Sequence, residues 1–318
     1  MHHGPGTTSP AATGRVLFDR DGRAGFRATG PDPDWQIRPI GPLPLGDAVV
    51  RTTAAGLVVQ PEAIDPDTGT PAFAYAAGPG GPDDHLKWCA LAARTASSGM
   101  PGFDAPATGG LTGTAELSVR VFNAGRHPFG DAVTDPEADV RLGAGALLAL
   151  DRETGLVFDF FLTNRRVYAV YERMRPPGAD WAAFTYAVPV ADRGPGRTHR
   201  LGITLDRAAD TVHWTVDGGR ALSAGRLGLP SLAREHLVID HGGTPRRATP
   251  RQLTFGLGLF ALLDAAGADG RGLVRLSADP YTEPVGFRYE QGRREHRLWG
   301  QGVRLTLGRL TVTTTPAR

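Results

Sequence analysis

Leu156-Val157-Phe158-Asp159-Phe160-Phe161-Leu162-Thr163-Asn164-Arg165-Arg166-Val167-Tyr168-Ala169-Val170-Tyr171-Glu172-Arg173 is the stretch from which the fold can be read. Two runs rich in aromatic and β-branched residues flank a short polar segment, the pattern of a β-hairpin. With Asn164-Arg165 as a two-residue loop, Leu162 opposes Val167, Phe161 opposes Tyr168 and Asp159 opposes Val170. Residues opposed across an antiparallel pair point to the same side. One face then carries Phe158, Phe160, Leu162, Val167, Ala169 and Tyr171, which suits packing against a second sheet. The other carries Asp159, Phe161, Tyr168, Val170 and Glu172, a mixture of carboxylates and aromatics that suits a ligand-binding sheet surface.

Similar short runs extend in both directions, broken by Gly, Pro and Asp. Before the hairpin lie Arg15–Asp19, Trp35–Ile37, Ala48–Arg51, Gly56–Val59, Ala72–Tyr75, His85–Leu91, Leu111–Phe122 and Gly145–Leu150. After it come Phe184–Val190, Arg200–Asp206, Thr211–Asp217, Gly256–Leu263, Gly272–Leu276 and Gly302–Thr313. With 43 Gly and 26 Pro among 318 residues, long helices are disfavoured and turns are frequent. The one helical piece expected is short, Leu229–Glu235. So many strands at this spacing predict an all-β fold, an antiparallel β-sandwich in a single domain over residues 15–318. Residues 1–14 carry no periodicity and are expected to form a flexible arm.

Composition narrows the function. One cysteine, Cys89, excludes an intrachain disulfide framework and any multi-thiolate metal centre. The net charge is +2 and the arginines are scattered, so a nucleic-acid footprint is not expected. No run approaches the roughly 20 apolar residues of a membrane span, and the N-terminus lacks a basic region followed by an apolar one. A cytoplasmic protein that binds a small-molecule substrate or ligand, without nucleic acid or membrane, is the expectation. Gly78-Pro79-Gly80-Gly81 lacks the Lys-Ser/Thr of a phosphate loop, and no redox or phosphate-donor cofactor is suggested. No three-ligand metal spacing stands out, although Asp65 with Asp67, or Asp135, Glu137 and Asp139, could hold calcium in a loop.

Among 35 basic residues only Lys87 is a lysine. Arginine in place of lysine throughout is the mark of GC-rich coding, so Lys87 is either a chance survivor or a position that needs an amine. Read as a strand, Asp83 to Cys89 places His85, Lys87 and Cys89 on one face and Leu86 and Trp88 on the other. An imidazole and an amine side by side can move protons or bind a carboxylate; Cys89 reads as a small buried hydrophobe. Tyr168 and Glu172, four apart on one strand face with Asp159 across the hairpin, form a second candidate centre. His241, between Asp240 and Gly242-Gly243 at a strand end, is placed to act as a base, or simply belongs to a turn. The candidate catalytic residues are therefore Lys87, His85, Tyr168, Glu172 and His241. Asp159, Phe161, Asn164 and Trp299 are the candidate substrate contacts.

Val212-His213-Trp214-Thr215-Val216-Asp217-Gly218, with Phe18-Asp19 and Trp35, resembles the concanavalin A-like lectin/glucanase sandwich. The resemblance implies a two-sheet jelly roll with a ligand groove on its concave sheet. Asp84-His85-Leu86-Lys87-Trp88, His127-Pro128-Phe129-Gly130, Asp240-His241-Gly242-Gly243 and Leu298-Trp299-Gly300-Gln301-Gly302 are similar to an actinobacterial family of uncharacterised proteins, over about residues 16–313. Retaining glucanases of this superfamily carry Glu-x-Asp-x-(x)-Glu on one strand, which this chain lacks, so hydrolysis by that arrangement is not expected. A cofactor-independent acid/base enzyme of cyclase, isomerase or lyase type leads the functional expectation. The alternatives are a lectin-like carbohydrate- or lipid-binding protein and an atypical glycoside hydrolase or polysaccharide lyase.

Overall fold

The computed structural model describes residues 14–74, 85–275, 286–289, 299 and 301–316. In chain order the strands begin with β1 (Arg15–Asp21), β2 (Trp35–Ile37), β3 (Val49–Thr53), β4 (Gly56–Gln60), β5 (Leu86–Ala92) and β6 (Phe103–Asp104). The middle of the chain forms β7 (Gly110–Phe122), β8 (Ala144–Asp151), β9 (Leu156–Leu162), β10 (Arg166–Arg173), β11 (Phe184–Asp192) and β12 (His199–Asp206). The last are β13 (Thr211–Val216), β14 (Gly219–Gly225), β15 (Leu237–Asp240), β16 (Gln252–Phe260), β17 (Gly272–Val274), β18 (Phe287–Tyr289) and β19 (Gly302–Thr315).

Two antiparallel sheets pack face to face as a β-sandwich. One has the order β14-β13-β12-β7-β19-β4-β3, with β1 also paired to β19. The other runs β15-β11-β10-β9-β8-β16-β5-β2, with β6 paired to β16. Alternation explains the core between them. Leu111, Ala115 and Leu117 of β7 and Ile203 of β12 meet Leu147 of β8, Phe158 and Phe160 of β9 and Phe255 of β16. Gly113 belongs to this contact by its lack of a side chain, since a Cβ there would lie 2.3 Å from the Phe255 ring.

The β9–β10 ladder pairs Leu162 with Val167, Phe161 with Tyr168 and Asp159 with Val170. The turn and the alternation together predict this register. Asn164 explains why the turn is so well placed. Its side-chain amide accepts from the Val121 N–H at 2.8 Å and donates to the Val121 carbonyl at 2.8 Å. It thereby acts as one more strand residue on β7, beyond Leu117 where the β12 pairing ends. The buried Arg193 completes the same splice by donating to the carbonyls of Thr163, Val119 and Arg197. Asn164 thus ties the two sheets together and does not face a substrate, contrary to the expectation.

Two further expectations are corrected. Leu229–Glu235 is not helical; only a single 3-10 turn, Arg234–His236, forms there. Ala72–Ala74 is irregular, held by Ala72 N–H to Ala63 and Phe73 N–H to the Gln301 carbonyl. Gly78–Gly81, Asp83, Asp84 and the expected arm up to residue 13 lie outside the described residues.

Candidate active site

The outer face of the nine-stranded sheet holds a group of ionisable side chains over an apolar floor. Phe161 of β9, Val170 of β10, Ala187 of β11, Ala146 and Leu148 of β8, and Cys89 and Leu91 of β5 form a second apolar cluster there. Ile40, Val140, Leu262 and Ala265, all from loops, pack into the same cluster. The face on which a ligand groove was expected is therefore partly roofed. One roof segment leaves the end of β16, passes Leu262, and is tied down at Val238 of β15 by the Ala266 N–H at 2.7 Å.

Four ionisable side chains of this face and its roof act on one another by contact or by charge. Asp159 is 4% exposed, and its carboxylate accepts from the Ala149 N–H at 2.9 Å, where the β8–β9 ladder opens. Its carbonyl accepts from the Trp214 indole N–H of the opposite sheet at 3.0 Å. Burial pushes the Asp159 carboxyl well above the ordinary aspartate value, and the charge of Glu172 pushes it further. Val170 faces Asp159 across the ladder, so Glu172, two residues on, is its diagonal neighbour on the same face. Glu172 is half-buried and also raised by burial; His85 and a hydrogen bond with Thr185 oppose that rise, and Asp264 adds to it. His85 stands just before β5, half-exposed, and its Nε2 meets the carboxylate of Asp264 in the roof segment.

Asp264 was not among the candidates. One signal pointed to it: it is the lone charged residue between Arg251 and Asp269, in an otherwise apolar stretch. An acid retained inside such a run asks for a partner.

The other predicted residues have their own surroundings. Lys87 is buried at 2% exposure, but the β5–β16 ladder steps by one residue between Leu86 and Trp88, leaving Lys87 as the extra residue of a bulge. Leu86 consequently joins Cys89 and Leu91 on the outer face, while Trp88, Ala90 and Ala92 enter the inter-sheet core. The shared face of His85, Lys87 and Cys89 that strict alternation predicts is thereby broken. Tyr168 donates its hydroxyl to the Ala138 carbonyl at 2.9 Å, and burial pushes its pKa up to about 12. It anchors a loop and is a poor proton carrier. Phe161 stacks on Phe260 at 4.8 Å and is buried, as part of the floor. His241 follows the last residue of β15; its N–H donates to Ala183, and its carbonyl accepts from Arg175. Trp299 meets Phe129 edge-on at 4.5 Å and packs on the inter-sheet core, away from the outer face.

The loop carboxylates are engaged within the protein. Asp65 accepts from the N–H groups of Asp67 and Thr68, Asp139 holds Arg141, and Glu137 accepts from Asn164. Among the described residues no three potential ligands gather as a metal site.

The architecture and this centre define an antiparallel β-sandwich with an acid/base cluster on one outer sheet face. A family model described as a family of unknown function, DUF6081, matches residues 18–316, and the chain belongs to that family. It is 25% identical to an uncharacterised protein of Acanthamoeba polyphaga mimivirus, in a match covering 42% of this chain and 43% of that one. The chain thus spans less than half the length of that relative. Among solved structures it is similar to an endo-β-1,3-glucanase from Pyrococcus furiosus, at 12% identity, 96% coverage of each chain and a TM-score of 0.49. It is also similar to the catalytic domain of an endo-1,3-β-glucanase (laminarinase) from Thermotoga petrophila, at 13% identity and a TM-score of 0.44. That match covers 95% of this chain and 98% of the other. A family 7 alginate lyase is similar at 10% identity and a TM-score of 0.41, covering 85% of this chain and 82% of that one.

Proposed function

We propose that the chain is an acid/base enzyme that cleaves a glycosidic bond in a short saccharide or at a chain end. The observation that carries this reading is the contact of His85 with Asp264 on the outer sheet face, with the charges of both reaching Glu172. A half-buried carboxyl with raised proton affinity is suited to protonate a leaving oxygen. A histidine oriented by a carboxylate is suited to take a proton from water, or from a sugar carbon in an eliminative cleavage. Hydrolysis then adds one water across the bond: its proton goes to His85, and the Glu172 proton goes to the departing oxygen. Asp159 lies buried behind Glu172, its carboxyl pushed well above the ordinary aspartate value by that burial. The roof of Ile40, Val140, Leu262 and Ala265 favours a small or terminal substrate over the middle of a polymer.

The three carboxyls of this reading, Asp159, Glu172 and Asp264, come from two neighbouring strands and a loop, a different assembly from the single-strand motif whose absence spoke against hydrolysis. The roof equally suits acid/base chemistry on a non-sugar small molecule, so the assay must separate these readings. Purified protein is incubated with labelled oligosaccharides and soluble glucans and uronates, following new reducing ends and the ultraviolet absorbance of unsaturated sugars. Turnover that falls roughly 10²-fold or more in Glu172→Gln and in His85→Ala, with melting temperature retained, is expected. No turnover across the panel, or full activity in Glu172→Gln, refutes the proposal.

A further inference from the structure

A second concavity lies at the open side of the sandwich, where the outermost strands of the two sheets, β2 and β3, part. It measures about 760 Å³, the size of a small-ligand site. Phe26, Trp35, Ile37, Leu45, Val50 and Trp88 supply its apolar walls. Phe26 stacks on Trp35 at 5.8 Å and tilts against Trp88 at 6.3 Å, which gives the walls a rigid aromatic frame.

Two features show that the cleft is more than loose packing. The Trp88 side chain is wholly buried, yet its indole N–H has no hydrogen-bond partner among the described residues. Such a group costs free energy unless something accepts from it. Its five-membered edge lies against Gly46, where a Cβ would come within 3.0 Å of Trp88 Cδ1, beside the cleft-lining Leu45 and Ala48. The second feature is charge. Arg94 lines the cleft, and with Arg20 and Arg27 it converges on Asp34, a neighbour of the lining residues Pro33 and Trp35. Arg94 remains 3.9 Å from Asp34, Asp32 lies 3.8 Å from Arg27, and the charge of Asp19, itself paired with Arg309, reaches Arg20. The Arg20 Nε–H is also buried without a partner. Three guanidiniums thus converge on one buried carboxylate at the edge of an apolar cleft.

From this geometry we infer that the cleft binds an apolar carboxylate, a hydrocarbon or aromatic body ending in one anionic head. The body fills the space between Trp35, Ile37, Val50 and Trp88, and the head completes the Arg94 side of the Asp34 cluster. This site is separate from the outer-face cluster and does not depend on its activity.

The test uses the full chain with laurate below its micellar concentration, followed by calorimetry and tryptophan fluorescence. One laurate per chain binds saturably, and dodecanol, the same chain without the charge, binds at least about tenfold more weakly. Arg94→Gln brings laurate down to the dodecanol level. Val50→Trp, which fills the cleft, abolishes laurate binding in a protein whose near-ultraviolet dichroism is native. The inference is overturned if laurate does not bind saturably, if dodecanol binds as tightly, or if folded Val50→Trp binds laurate normally. Should Val50→Trp not fold, the comparison of laurate with dodecanol on the unaltered protein decides alone.

Discussion

The imidazole Nε2 of His85 contacts the carboxylate of Asp264, 179 residues further along the chain. One partner precedes β5 and the other sits in the roof segment after β16, adjacent strands in the sheet. Their contact closes a strap over the outer face, and the charges of both reach Glu172. A carboxylate in this place fixes the imidazole's tautomer and orientation.

Asp264→Asn should therefore act on His85 without touching substrate. The amide preserves shape but not charge, and kcat is expected to fall roughly 10²-fold or more with KM little changed. The pH–rate profile distinguishes positioning from simple loss of structure, because its limb assigned to His85 should move in the variant. Steady-state kinetics from pH 5 to 9 provide the check.

Asp159 and Glu172 bind protons more tightly in the fold than in the unfolded chain, whose ordinary values are 3.8 and 4.5. Above those values the native state holds more protons than the unfolded one, so stability falls as pH rises toward the raised folded values. Their favourable contribution is complete only below the unfolded values. Asp159→Asn keeps an acceptor for the Ala149 N–H and removes the titration. The variant should melt higher than the parent at pH 7, with the difference vanishing near pH 4, in a thermal series across that range.

Asn164→Ala strips both the acceptor and the donor from Val121, whose backbone lies at the sandwich interior. Two buried main-chain groups without partners cost roughly 2–5 kcal/mol together. Urea unfolding should show a lower midpoint with an unchanged slope. A loss below about 0.5 kcal/mol would mean that water or relaxation replaces the amide.

Arg193 is a buried cation held by three carbonyls and no carboxylate, and burial brings its pKa down to about 10. Lysine cannot span the same three oxygens with one ammonium group. Arg193→Lys is expected to recover only part of the stability that Arg193→Ala loses, with the alanine variant lower by about 3 kcal/mol or more. Chemical denaturation of the two variants side by side tests this.

Tyr168→Phe removes the hydroxyl that holds the Ala138 carbonyl. A stability loss of about 1 kcal/mol is expected, with kcat changed less than about twofold, since the hydroxyl proton is already committed to the main chain. A large fall in kcat would restore Tyr168 to the catalytic group.

The hairpin register, the inward and outward faces of β9 and β10, and the sandwich itself were legible in the amino-acid sequence. Each depends on period-two alternation and a turn, which act between residues close in the chain. Asp159, Phe161, Tyr168 and Glu172 could accordingly be assigned to one face from spacing alone. The tasks of Asn164 and Tyr168 could not, because they are set by Val121 and Ala138, which no local pattern links to them.

By itself the sequence determined these local pairings and the polar character of one sheet face. Only the tertiary structure decided that Lys87 sits at a bulge, because an extra residue appears only where one strand is laid against its partner. Tertiary folding likewise brought Asp264 to His85 and charged the rim of the cleft between β2 and β3. Such contacts arise from sheet order and strand crossing, and Coulomb and hydrogen-bond energies depend on distance in space rather than along the chain.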